Sequence, residues 1–295
     1  DLPEGAAFIP EMPGTAPGLV CPLGAQVIYA VPGVPHEMRT MVGATVLADL
    51  KRRAGLRAVI RSRVLRTWGH TESGLAELLA GRIAELDALG NPTLAFQASG
   101  IEGLKVRITA KAGDDAAAEA MLADEEARVR ALVGDVVFGV DGETMESVVL
   151  AMLAARGLSL AVAEQLSAGL VAMRLTAAAN GADGTFRGGV VTAADGRASE
   201  LLGAPPGPAV SAEAAAAMAE RVRALFGTDV GLATCGVAGP EPQDGHRPGT
   251  AFLGLALGNR AEATEARLPG DRDRIRQYAV ISVLNALRRR LAAAQ

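Results

Sequence analysis

The stretch "LSLAVAEQLSAGLVAMRL", residues 158–175, admits few folds. Leu158–Ala163 is apolar except at Ser159, as a buried strand requires. Glu164 and Gln165 end that run, Ser167-Ala168-Gly169 form a turn of small residues, and Leu170–Leu175 continues at helical spacing. A strand passing through a small-residue turn into a helix is the building unit of α/β proteins. Backbone N–H groups and the positive helix end converge at such a turn, so it can hold a phosphate or present a nucleophile.

Similar units follow on both sides. After Glu143 the pattern reads as helix Thr144–Arg156, strand Leu158–Ala163, helix Ala168–Ala179 and strand Gly188–Ala193. Next come the Ala-rich helix Ser211–Phe226 and strands Val230–Cys235, Thr250–Leu257 and Ala261–Leu268. Helix Asp271–Ala293 closes the chain, with Asp271 as N-cap and a basic end that suits the helix dipole. Ahead of this, Ala58–Gly139 reads as strand, helix, hairpin, helix, strand, a compact α+β module. The first 55 residues offer one strand, Ala25–Val31, and one helix, His36–Arg53, between Pro/Gly turns. That is too little for an independent core. The chain opens on Asp1 and not Met, so this segment is expected to begin inside a larger α/β domain.

Composition narrows the function classes. A chain of 295 residues, 49% hydrophobic and 21% charged, buries real cores. Aromatics are 3%, which leaves Ala, Leu and Val to fill them. The net charge of −4 disfavours wholesale binding to nucleic acid or to a membrane surface. No apolar run approaches the roughly 20 residues of a membrane span. Cys21 and Cys235 lie far apart, which makes a disulfide framework improbable and a reducing cytoplasm the default setting. His36, His70 and His246 are too scattered for a metal site.

Taken together, "LPEGAAFIP", "GTAPGL", "YAVPGVPHEM", "FRGGVV", "CGVAGP", "DGHRPGTA" and "GDRDRIR", in that order, resemble the CinA family of competence- and damage-inducible proteins. The resemblance covers essentially the whole chain. It implies an α/β fold in three parts: residues 1–57, the end of a molybdopterin-binding-like domain; 58–141, a KH-like α+β module; and 142–295, an α/β/α sandwich associated with deamidation of nicotinamide mononucleotide (NMN). It also implies a homodimer, a nicotinamide or ADP-ribose nucleotide ligand, and a divalent metal in the first domain, which would involve Glu37. No cofactor is implied for the C-terminal domain.

In the family the turn reads Glu-Ser-x-Thr-Gly-Gly, with the Ser as nucleophile. This chain has Gln165 at that position. The family's activating Tyr and Lys fall on Ala193 and Ala198. The residue inventory agrees. The lysines are Lys51, Lys105 and Lys111, and the C-terminal segment has only Tyr278. Amide hydrolysis of this kind needs an activated hydroxyl with a base in reach, and a glutamine amide supplies neither nucleophile nor titratable proton.

The other candidates each carry two readings. Ser167 is a displaced nucleophile with His246 as base, or a helix cap or anion-binding hydroxyl. Glu164 holds a ribose or fixes its loop. Gly169 belongs to the turn, and Gly236, Gly239 and Pro240 shape a second loop facing the same cleft or an ordinary turn. Arg187 and Arg272 meet a phosphate or make surface ion pairs. Cys235 reads as a small core residue. Gly100 and Gly103 sit in a hairpin and not between helices, which argues against a KH-type nucleic-acid clamp. The leading expectation is a nucleotide-binding or scaffolding protein that has lost deamidase catalysis. The alternative is an active NMN deamidase or ADP-ribose pyrophosphatase, and a third reading is a pure interaction adaptor.

Overall fold

The computed structural model describes residues 2–55, 58–98, 100–179, 184–193, 201–202 and 207–293. Its residues gather into two compact units, Asp1–Arg61 with Lys111–Ala120, and Ser62–Ala110 with Met121–Gln295.

The first unit contains a three-stranded antiparallel meander of β1 (Ala7–Phe8), β2 (Leu19–Leu23) and β3 (Gln26–Ala30). Only β3 was expected. A two-residue strand has no readable period, and Pro22 demotes β2 as a strand signal. The expected single helix is α1 (Pro35–Met41) and α2 (Leu47–Arg53), joined by a π-helical turn over Val42–Val46. Ile9, Met41 and Val46 make its small core.

The chain then forms β4 (Val59–Thr67), α3 (Glu72–Leu89), β5 (Thr93–Ala98), β6 (Leu104–Ala112), α4 (Asp115–Val133) and β7 (Val137–Val140). The four strands lie in the order β5-β6-β4-β7. Thr71 caps α3 by accepting from the Gly74 amide, and left-handed Gly90 ends it. Leu75 and Leu79 of α3 pack with Leu65, Ile108, Leu122 and Val129. Gly100 and Gly103 do lie in the turn joining β5 to β6, both with positive φ.

The remainder comprises α5 (Met145–Ala154), β8 (Leu160–Glu164), α6 (Leu170–Ala178), β9 (Phe186–Val191), α7 (Ala212–Phe226), β10 (Val230–Gly236), β11 (Thr250–Leu257), β12 (Arg260–Arg267) and α8 (Arg272–Ala292). The sheet order is β12-β11-β10-β8-β9. Strands β10, β8 and β9 run parallel, and β10, β11 and β12 form antiparallel pairs. Every residue of β8 and β10 is buried, because helices cover both faces. Side chains alternate accordingly. Leu160 and Val162 join the core that includes Val149, Leu175 and Leu284, while Ala161 and Ala163 join the core of Ala215, Met218 and Val222. This segment is the α/β/α sandwich that the family resemblance implies. Among the described residues no helix is long and apolar enough to cross a membrane.

Candidate functional site

The turn after β8 is built around Glu164, which is 1% exposed. Its carboxylate accepts from Ser167 Oγ at 2.6 Å and from the amides of Gly169, Val171 and Ala172 at 2.9, 3.0 and 2.8 Å. These amides are the unpaired donors that any helix start exposes. The negative charge that the start of α6 attracts is therefore supplied by the protein itself. Ser167 is fully buried, and its hydroxyl also bonds Thr234 Oγ1 at 2.5 Å. Ala168 and Gly169 turn the chain at φ 54° and 94°.

Above this turn lies a cleft of about 300 Å3, walled by Gln165, Ala193, Gly236, Gly239, Arg272 and Arg276. It is assembled from the ends of β8, β9 and β10 and the first turns of α8. The backbone amide of Gln165 donates to the Thr234 carbonyl at 2.9 Å, and its side-chain Oε1 accepts from the Gly236 amide at 2.8 Å. The Arg272 guanidinium donates to the Gly239 carbonyl. Arg276, one helical turn further on, lines the cleft with Nε buried and unpartnered among the described residues. Thr192 Oγ1, also in the wall, is in the same state. Two like charges four residues apart near a positive helix end oppose one another and the dipole, so they add nothing to helix stability. An anion in the cleft would satisfy both, and two guanidinium groups suit a phosphate. Glu241 and Gln243 complete the polar lining.

Two domain descriptions match this chain: "CinA C-terminal domain" over residues 142–291 and "Damage-inducible protein CinA KH domain" over residues 62–139. A "CinA-like protein" of Frankia casuarinae is 48% identical over 297 residues, covering 99% of this chain and 68% of the relative. The chain belongs to the CinA family. A second "CinA-like protein", from Gloeobacter violaceus, is 41% identical over 300 residues, covering 99% of this chain and 69% of that one. The crystal structure of a CinA superfamily protein from Klebsiella pneumoniae 700603 aligns at 30% identity and TM-score 0.48, covering 50% of this chain and 96% of that one.

In this CinA-family chain the candidate residues fall into three groups. Gln165, Ala193, Gly236, Gly239 and Arg272 meet at the cleft. Glu164 and Ser167 lie beneath it, bonded to each other and to the turn. Arg187 is exposed on β9 and is not part of the cleft wall. Ala198 lies outside the described residues. The His246 ring packs edge-on against Phe252 at 5.3 Å, and Tyr278 packs against Trp68. Neither is in the cleft wall. Burial pushes the Cys235 thiol up to about 11 from its ordinary 9.0, and it donates to the Ala209 carbonyl at 2.9 Å, so it is a protonated, unreactive group at neutral pH.

Sequence reasoning missed Thr192 and Arg276. The signal for Arg276 was its spacing of one helical turn from Arg272 in "GDRDRIR". In the first unit Glu37 is 9% exposed and lies against Gly14, where an added Cβ would meet its carboxylate oxygen at 1.9 Å. Among the described residues no three His, Cys, Asp or Glu side chains converge.

Proposed function

We infer that the C-terminal segment binds a phosphate-bearing nucleotide of the nicotinamide type in the cleft at Gln165 and does not hydrolyse its amide. The protein is then a ligand-binding or scaffolding member of its competence- and damage-inducible family, acting as a homodimer. The observation that carries the reading is the bond from the Gly236 amide to Gln165 Oε1. The side chain at the expected nucleophile position is a neutral amide already engaged with the cleft wall. The nearest hydroxyl along the turn, that of Ser167, is buried and bonded to Glu164 and Thr234. Arg276 Nε and Thr192 Oγ1, unpartnered among the described residues, support an anionic ligand, and the family resemblance supports its nicotinamide class.

The test is calorimetric titration with NMN alongside an ammonia assay. The expected result is saturable binding, weakened by Arg276→Ala, with ammonia at the uncatalysed background. Gln165→Ser alone restores no turnover, because Ala193 offers no base. Gln165→Ser with Ala193→Tyr and Ala198→Lys restores some, since a positioned base contributes roughly 10²–10⁴-fold. Turnover by the unaltered protein that survives Ser167→Ala overturns the reading and points to another nucleophile or an activated water.

A further inference from the structure

A second cavity, of about 690 Å3, lies between the end of β4 with the loop that follows it and the facing parts of β12 and α8. Its walls include Trp68, His70, Leu104, Leu268, Tyr278 and Ser282, and no residue lines both this cavity and the cleft at Gln165. The volume suits a small organic ligand.

The placement of aromatic rings is what singles this cavity out. Trp68 is the only tryptophan in the chain and Tyr278 one of two tyrosines. Both stand half-buried at the cavity, with ring centroids 5.9 Å apart and planes 40° from parallel. Trp68 packs with part of its surface against the adjoining core of Leu, Val and Ile side chains. Both rings line the cavity and are only half-buried, so part of each remains available to a ligand. The wall also carries polar groups: His70, Glu72, Arg267 and the hydroxyls of Tyr278 and Ser282, neither of which holds a hydrogen bond to a described residue. Flat π faces flanked by leucines and edged by donors and acceptors match a ligand that is itself flat, with a polar rim.

We propose that this cavity binds a planar aromatic heterocycle, stacked on Trp68 and Tyr278, with its polar edge toward His70 and Ser282. The site takes the uncharged ring and needs no phosphate, so it stands independently of the cleft at Gln165.

Trp68 makes the test direct, because its emission reports this cavity without background from another tryptophan. Adenosine and cytidine, a two-ring and a one-ring heterocycle, are titrated against cyclohexanemethanol as a non-planar control. At least one nucleoside is expected to quench Trp68 emission to saturation, and the control to leave it unchanged. Tyr278→Ala weakens the binding about tenfold, the loss expected for one stacking platform, and Tyr278→Phe preserves it. Ala266→Leu, which fills the cavity from β12, also weakens binding, so the proposal does not depend on Tyr278→Ala folding. Arg276→Ala, in the other cleft, leaves the titration unchanged. Quenching by both nucleosides that rises linearly without saturating overturns the proposal. So does saturable quenching of equal affinity in Ala266→Leu and the unaltered chain.

Discussion

Ala168 occupies the left-handed region at φ 54°, on the exposed crest of the turn beside the cleft. That conformation costs an alanine about 1–2 kcal/mol, and glycine adopts it freely. The CinA pattern has glycine there, which is the residue the geometry favours. Ala168→Gly is therefore expected to stabilise the protein by about 0.5–1 kcal/mol, since the greater freedom of unfolded glycine offsets part of the gain. The check is a higher denaturation midpoint at unchanged m-value; a lower midpoint contradicts the account. The neighbouring Glu164 shows what the sequence left open. A carboxylate at a strand end fits a ribose as well as a helix start, and only the four donors converging on it decide for the helix.

At the scale of elements, α7 explains itself through the sheet beneath it. An added Cβ on Gly231 would meet the Ala219 carbonyl oxygen at 2.0 Å, and one on Gly254 would meet that of Ala215 at 2.2 Å. The helix backbone thus lies directly on two glycines, and the run Ala214–Ala217 is what permits so close an approach. Read along the sequence, that run is only a low-complexity tract with good helix propensity. Gly254→Ala is expected to destabilise by about 1–3 kcal/mol, because neither a backbone carbonyl nor a central strand can move aside cheaply. Thermal unfolding measures it; an unchanged midpoint would mean that α7 rides higher over the sheet. Ser211 caps this helix and left-handed Gly227 ends it, and both signals were legible locally.

At the scale of the whole molecule, the exposed surface bears on association. Strand β9 is last in its sheet among the described strands, and α6 packs beside it. Met173 of α6 and Val191 of β9 are 55% and 54% exposed. An unpaired edge next to exposed large side chains is a surface that a partner strand or helix would cover. The homodimer proposed above is expected to give a light-scattering mass near twice the chain's 30.1 kDa at micromolar concentration. Glu at both Met173 and Val191 should shift it toward the monomer. A monomer mass for the unaltered chain rules the dimer out.

The sequence by itself determined whatever depends on neighbours along the chain. Period-two and period-3.6 apolar patterns, a cap such as Asp271, and glycine turns each report a local backbone preference. The residue inventory likewise shows that the last domain contains no lysine. Short or mixed segments escaped, as β1, β2 and the π-helical turn did, because they offer too few residues to set a period. Only the tertiary structure brought Thr192 of the β9 end and Arg276 of α8 to one cleft, turned Glu164 inward, and set Trp68 against Tyr278. Those meetings follow from the strand order β12-β11-β10-β8-β9 and from which helix covers which face. Hydrophobic burial drives that assembly but has no direction, so the apolar pattern states which side of an element is buried and not which partner buries it.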